Sequence, residues 1–250
     1  SFLVVFQFTV SIILIIGTFV IDRQMSFILN KKLGFDKEQV LLLQGTHTLG
    51  DKIVAFKEEV LRLPEVKSAT ISAYIPVDGA QRNGGGMWKE GMPENEQVTS
   101  QHWYIDHDYV KTMGLHLVKG RDFSNLITSD SQAMIINESL VKALDLKDPI
   151  GQRVFNWLGG WTIIGVVEDF HFESLKENIG SMGLFIRRSP KTIAVKANTA
   201  DMAAMIDAVT KVWKQFSPNQ PIRYAFLDER YAQMYADVER MGLIFSSFAI

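Results

Sequence analysis

The residues of this chain best suited to chemistry lie in two short clusters. His102, Asp106, His107 and Asp108 bring imidazole nitrogens and carboxylate oxygens close together, donor types that a zinc-like ion takes. On a strand, His102 and Asp106 would share a face while His107 points away, so solvated loop residues are the readier account. Glu168, Asp169 and His171 close an apolar run and offer an acid/base group, although strand ends commonly carry polar residues. Gly84–Gly86 is a glycine triplet, but it is not set between a strand and a helix as a phosphate cradle would be. No G-x-x-x-x-G-K-[ST], H-E-x-x-H or G-x-S-x-G occurs. Cysteine is absent, which removes disulfides, thiolate metal sites and a cysteine nucleophile. The chain is therefore expected to hold no catalytic, cofactor-binding or metal-ligating residues. Trp157 and Trp161 flank Leu158-Gly159-Gly160, which reads either as a hairpin tip presenting aromatics to a partner or as a packed turn.

The elements around these residues carry more information. The chain has 250 residues, 47% of them hydrophobic and 11% aromatic, enough for a sizeable core and too many for disorder. A formal net charge of −2 provides no footprint for nucleic acid. Phe2 to Ile21 is free of charge and, at 1.5 Å per residue, spans roughly 30 Å, the thickness of a bilayer core. No basic region precedes it and no small-residue cleavage site follows, which argues for a membrane helix over a signal peptide. Gln7, Ser11 and Thr18 fall on one face of it, a face that would either pack in a bundle or bond its own backbone. The chain ends in a second apolar run from Met241, too short to span. It therefore looks like an excerpt, with a large loop between two spans. Asp22, Arg23, Arg230, Glu239 and Arg240 sit at or near the two junctions and either transmit movement or only mark the interface with water.

The loop reads as folded. Val40–Gln44 is strand-like, Ile53, Phe56, Val60 and Leu63 make a helical stripe ended by Pro64, and Val66–Ile75 is β-rich. A second β-α-β unit follows far along the chain. It comprises Thr192–Lys196, a helix capped near Asn198 and Thr199 with a stripe from Met202 to Phe216, and Ile222–Phe226. Two such units suggest two halves of one sheet with an insertion between them. The insertion, residues 83–160, opens with a flexible glycine-rich loop. It then carries strands at 97–105, 116–119 and 133–136 and helices at 108–113 and 138–144, after which Trp161–Val167 returns as a strand. From Tyr231 through Met234, Tyr235, Val238, Met241 and Phe245 the apolar stripe does not stop at the membrane run. It predicts one continuous stalk helix, and Asp22–Leu33 extends the first helix likewise.

These segments together resemble the permeases of MacB/FtsX-type ABC transporters, including their lipoprotein-releasing relatives. The likeness is carried in order by LVVFQFTVSIILIIGTFVIDRQMSFI (3–28), NKKLGFDKEQVLLL (30–43), GLHLVKGRDFS (114–124), INESLVKALDLKDPIGQRV (136–154), TIIGVVEDFHFESL (162–175) and FLDERYAQMYADVERMGLIFSSFAI (226–250). The resemblance implies an α+β extracytoplasmic domain of β-α-β units (Porter-like) with an inserted mixed α/β subdomain (Sabre-like), flanked by transmembrane helices. On that reading residues 1–21 are a transmembrane helix and 22–38 a stalk and junction. Residues 39–82 and 161–227 are the Porter-like part, and 83–160 the Sabre-like insertion. Residues 228–240 are a stalk helix, and 241–250 begin a second span. It further implies a bacterial inner membrane protein with residues 22–240 periplasmic. No cofactor sits in this segment, ATP being bound by a separate or fused nucleotide-binding domain. The partners implied are that ATP-binding subunit, a second permease half as homodimer or pseudo-dimer, and a periplasmic adaptor or lipoprotein. The implied function is to couple ATP hydrolysis to periplasmic movement (mechanotransmission) for efflux or for lipoprotein or peptide export. A sensor domain of a transmembrane signalling receptor is the alternative, since it too sits between two membrane helices.

Overall fold

The computed structural model describes residues 2–77, 83–175, 177–187, 189 and 191–248. The chain divides into two units, one made of the residues up to 32 with those from 229 onward, the other of Leu33–Asp228. In the first unit α1 (Phe2–Asn30) is one unbroken helix. Most of its apolar side chains are exposed, and among the described residues it is the one helix long and apolar enough to cross a membrane.

The second unit opens with β1 (Val40–Gln44), α2 (Ile53–Leu61) and β2 (Val66–Ser72). Its middle holds β3 (Gly84–Lys89), β4 (Val98–Ile105), α3 (Tyr109–Met113), β5 (Leu117–Gly120), β6 (Ala133–Asn137), α4 (Glu138–Ala143), β7 (Arg153–Asn156), β8 (Gly159–Val167) and β9 (Met182–Ile186). It closes with β10 (Thr192–Ala197), α5 (Met202–Phe216) and β11 (Arg223–Phe226).

The outer elements form an antiparallel sheet in the order β11-β1-β10-β2. Each β-α-β unit is thus split by a strand of the other, so neither half can close its sheet alone. Helices α2 and α5 bury their stripes on this sheet. Phe56 meets Trp213 and Phe216 edge-on at 5.5 Å each, over Leu41, Leu43, Ile193 and Val195. The α5 cap is Asp201, whose carboxylate accepts from Ala204 N at 3.0 Å, and Thr199 in turn accepts from Asp201 N.

The middle strands pair into a closed ring, β4-β3-β7-β8-β6-β9 and back to β4. Three features differ from the sequence expectations. Gly84–Lys89, expected as loop, is a ring strand. A Cβ at Gly85 would lie 2.8 Å from His102 Cε1, so glycine lets the two strands come together. Strands β7 and β9 were not anticipated. The apolar run Trp161–Val167, expected to return to the first sheet, pairs with β7, β6 and β5 instead. The ring is inserted where β2 ends and β10 begins, and Ser72 and Thr192 at those points are direct ladder partners.

Past β11 the chain continues through α6 (Leu227–Gln233) and α7 (Ala236–Phe248). The predicted single stalk helix is broken at Met234–Tyr235. There the amides of Met234 and Tyr235 bond the carbonyls three residues back, which tightens the turn and starts a new helix. The side chain of Phe245 lies outside the described residues.

Replacing Phe56 by Ala removes the ring on which α2 and α5 converge. It should cost about 3–5 kcal/mol, read as a lower denaturation midpoint with an unchanged slope.

Candidate functional site

The candidate coupling residues lie in the first unit, Asp22 and Arg23 on α1, Arg230 on α6, and Glu239 and Arg240 on α7. Helices α1 and α7 pack closely where Gly242 faces Ile21, and a Cβ on that glycine would sit 2.9 Å from Ile21 Cγ2. Deeper along the pair, Tyr231 and Tyr235 are buried with rings 5.4 Å apart, and the Tyr231 hydroxyl donates to the Ile28 carbonyl at 2.9 Å. Beside these contacts runs a groove of about 270 Å³ lined by Thr18, Asp22, Met25, Leu29, Glu239 and Leu243. The structure therefore brings Asp22 and Glu239 to one surface. Arg23 is exposed and does not line the groove. Arg240 is exposed beside Asp237 at 3.8 Å. Arg230 is half-buried, and its Nε has no hydrogen-bond partner among the described residues. Thr9 and Thr18 donate to their own backbone, to Val5 and Leu14 carbonyls.

The two tryptophans part company. Asn156 shapes the β7–β8 turn, its Oδ1 accepting from Leu158 N at 2.9 Å and Trp161 Nε1 at 3.0 Å. Trp161 packs edge-on against Phe185 at 4.7 Å. Trp157 stands at the tip, 69% exposed.

The His/Asp cluster is not the set of solvated loop residues expected from the sequence. His102 is 1% exposed on β4, edge-on to Phe185, and burial pushes its imidazole down to about 4. Asp106 accepts from Lys57 Nζ at 2.8 Å, Thr70 Oγ1 at 2.5 Å and Ile71 N at 2.8 Å. Asp108 is the second carboxylate on Lys57. Burial works against the charge on Lys57, but Asp106 and Asp108 outweigh it and hold the ammonium above its usual range. Lys57 and Thr70 are the residues sequence reasoning missed. The available signal was a lysine between Ile53 and Val60 on the apolar face of a helix, where a charge needs a carboxylate.

The second cluster is dispersed as well. Asp169 accepts from Ser139 N and Oγ, both at 2.8 Å, at the start of α4, while Glu168 faces His116 at 3.4 Å. Among the described residues, no three His, Cys, Asp or Glu side chains come together to hold a metal ion.

Comparison with known proteins gives a consistent result. The family model for the MacB-like periplasmic core domain matches residues 1–212. The periplasmic region of MacB from Actinobacillus actinomycetemcomitans is similar in fold, with a TM-score of 0.56 and 16% identity over 85% of this chain and 97% of that one. The extracellular domain of the ABC-type transporter YknZ from Gram-positive bacteria gives 0.53 and 14%, over 74% of this chain and 98% of that one. No curated protein matches significantly.

An NMR titration should give His102 a midpoint of about 4 against the ordinary 6.5. The unfolded chain then takes up this proton first, so the contribution is intact above pH 6.5 and falls as pH drops toward 4. A His102 midpoint near 6.5 would show that the ring interior admits water.

Proposed function

Because the chain belongs to the family of MacB-like periplasmic core domains, we propose that it serves an ABC transporter permease by coupling ATP hydrolysis to movement outside the cytoplasm. The observation carrying this reading is the helix pair: residues 33–228 form one unit whose two chain ends both run into packed helices. At 1.5 Å per residue, the 29 residues of α1 measure about 43 Å against a bilayer core of about 30 Å. Part of the helix thus extends beyond the hydrocarbon, and Asp22 and Arg23 follow the uncharged run. Two packed helices joined to one folded unit can pass on a movement by shifting along each other, which a single flexible tether cannot.

In this reading ATP is hydrolysed by a separate subunit or a fused domain, in the bacterial inner membrane. A second permease half completes the membrane part. An adaptor or lipoprotein docks outside, with Trp157 and Trp161 in the candidate contact hairpin. The cargo class is a drug, peptide or lipoprotein. Asp22, Arg23, Arg230, Glu239 and Arg240 are the transmission residues, with Asp22 and Glu239 the pair that shares a groove.

Residues 1–250 hold no cysteine of their own, so a thiol pair can be placed in them at chosen positions. In the full permease with its ATPase, Asp22→Cys with Glu239→Cys should, once joined by a reducible bifunctional thiol reagent, lose transport and regain it on reduction. Transport that continues in fully crosslinked protein would remove the coupling role of the helix pair.

A further inference from the structure

The ring leaves the four-stranded sheet and returns to it at one point, since β2 ends and β10 begins at the ladder partners Ser72 and Thr192. A subdomain joined at a single point swings unless something else orients it. The ladder that could do so is minimal, because β2 and β4 pair only at Ser72 and Ile105, and the remaining support is α3, which packs on β2 and β10, with the turn that leads into it. The next register position would set Ile71 against Asp106. There the backbone turns off into α3, and the Asp106 side chain takes over the ladder bond by accepting from Ile71 N at 2.8 Å. The same carboxylate accepts from Thr70 Oγ1 on β2 and from Lys57 on α2, both elements of the sheet. Asp108 holds Lys57 from the same turn. One residue beyond, Tyr109 is buried and donates its hydroxyl to the Tyr74 carbonyl at 3.0 Å.

We propose that Asp106 is the pin of a rigid joint, a positioning residue that locks the ring to the split sheet through Lys57, Thr70 and the Ile71 amide. Three donors from two different elements meet on one carboxylate, so translation and rotation of the ring about the Ser72–Thr192 point are both opposed. Lys57 stays charged in this setting, which keeps the lock closed wherever the carboxylates are ionised. The joint is a property of residues 33–228 and stands apart from the transport reading.

Spin labels at Lys67→Cys on the sheet and Lys147→Cys on the ring side, in the full chain, read the joint directly. The unaltered joint should give one narrow distance peak. Asp106→Ala should lose that peak to a broad distribution. Val209→Ala, a buried change on α5, is the control for general loosening and should keep the peak narrow. Should Asp106→Ala fail to fold, Asp106→Asn carries the same test, since it keeps an oxygen for Ile71 and leaves Lys57 without that counter-charge. A narrow peak in the Asp106 variants, or equal broadening in Val209→Ala, would overturn the proposal. Transport assays on the same proteins judge the coupling role separately: broad distances with normal transport would spare the joint and remove the coupling.

Discussion

A buried ammonium with two carboxylates is the constraint on which the arrangement of residues 33–228 turns. Lys57 lies on the apolar face of α2, where its charge is tolerable only with a partner at hand. That partner is supplied by the turn after β4, part of the inserted ring. The magnitudes separate the contributors. One ladder hydrogen bond contributes about 1 kcal/mol net. Removing Asp106 costs more than that but less than the roughly 3–5 kcal/mol of a buried pair broken outright, because Asp108 still holds Lys57. The single Ser72–Ile105 pairing is therefore the weaker tie, and the Asp106 cluster, at the turn before α3, the stronger one. The helix stripe that builds the sheet's core thus also sets the geometry of the insertion, through the one residue in it that is not apolar.

The helix pair works by a different logic. In a lipid-like surrounding, apolar side chains gain little by meeting one another, so association rests on close packing and buried polar contacts. Gly242 against Ile21 supplies the first, and the Tyr231 hydroxyl on the Ile28 carbonyl the second. Both contacts bind α1 to the segment after residue 229. The polar side chains within α1 contribute less, since Thr9 and Thr18 spend their hydroxyls on their own backbone.

Much of this fold was legible, and the failures have identifiable causes. Val40–Gln44, Thr192–Ala197 and the stripes of α2 and α5 could be read because each is a short apolar run or a clear 3.6-residue period. The split sheet followed from seeing the same unit twice. Gly84–Lys89 was illegible as a strand because glycine has no β preference of its own, and what explains it are the side chains it faces, His102 at Gly85 and Gln97 at Gly86. Strands β7 and β9 carry no alternation to detect, the latter being buried along nearly its whole length. The break at Met234–Tyr235 has neither proline nor glycine to announce it. At the site, Asp22 and Glu239 meet at one groove, whereas the basic residues picked with them do not.

The insertion point shows why such a large subdomain can sit inside the sheet. With the ring removed, β2 and β10 would be neighbouring antiparallel strands whose ends, Ser72 and Thr192, already face each other. The ring thus stands where a hairpin loop would. Loop closure grows only with the logarithm of length, about 0.6 kcal/mol per doubling, so a long insertion there loads the sheet little. The cost falls on orientation instead, and it is met by α3 packing on β2 and β10 and by the turn that precedes α3. In that turn Asp106 and Asp108 hold the buried Lys57 of α2, which fixes the turn against the sheet.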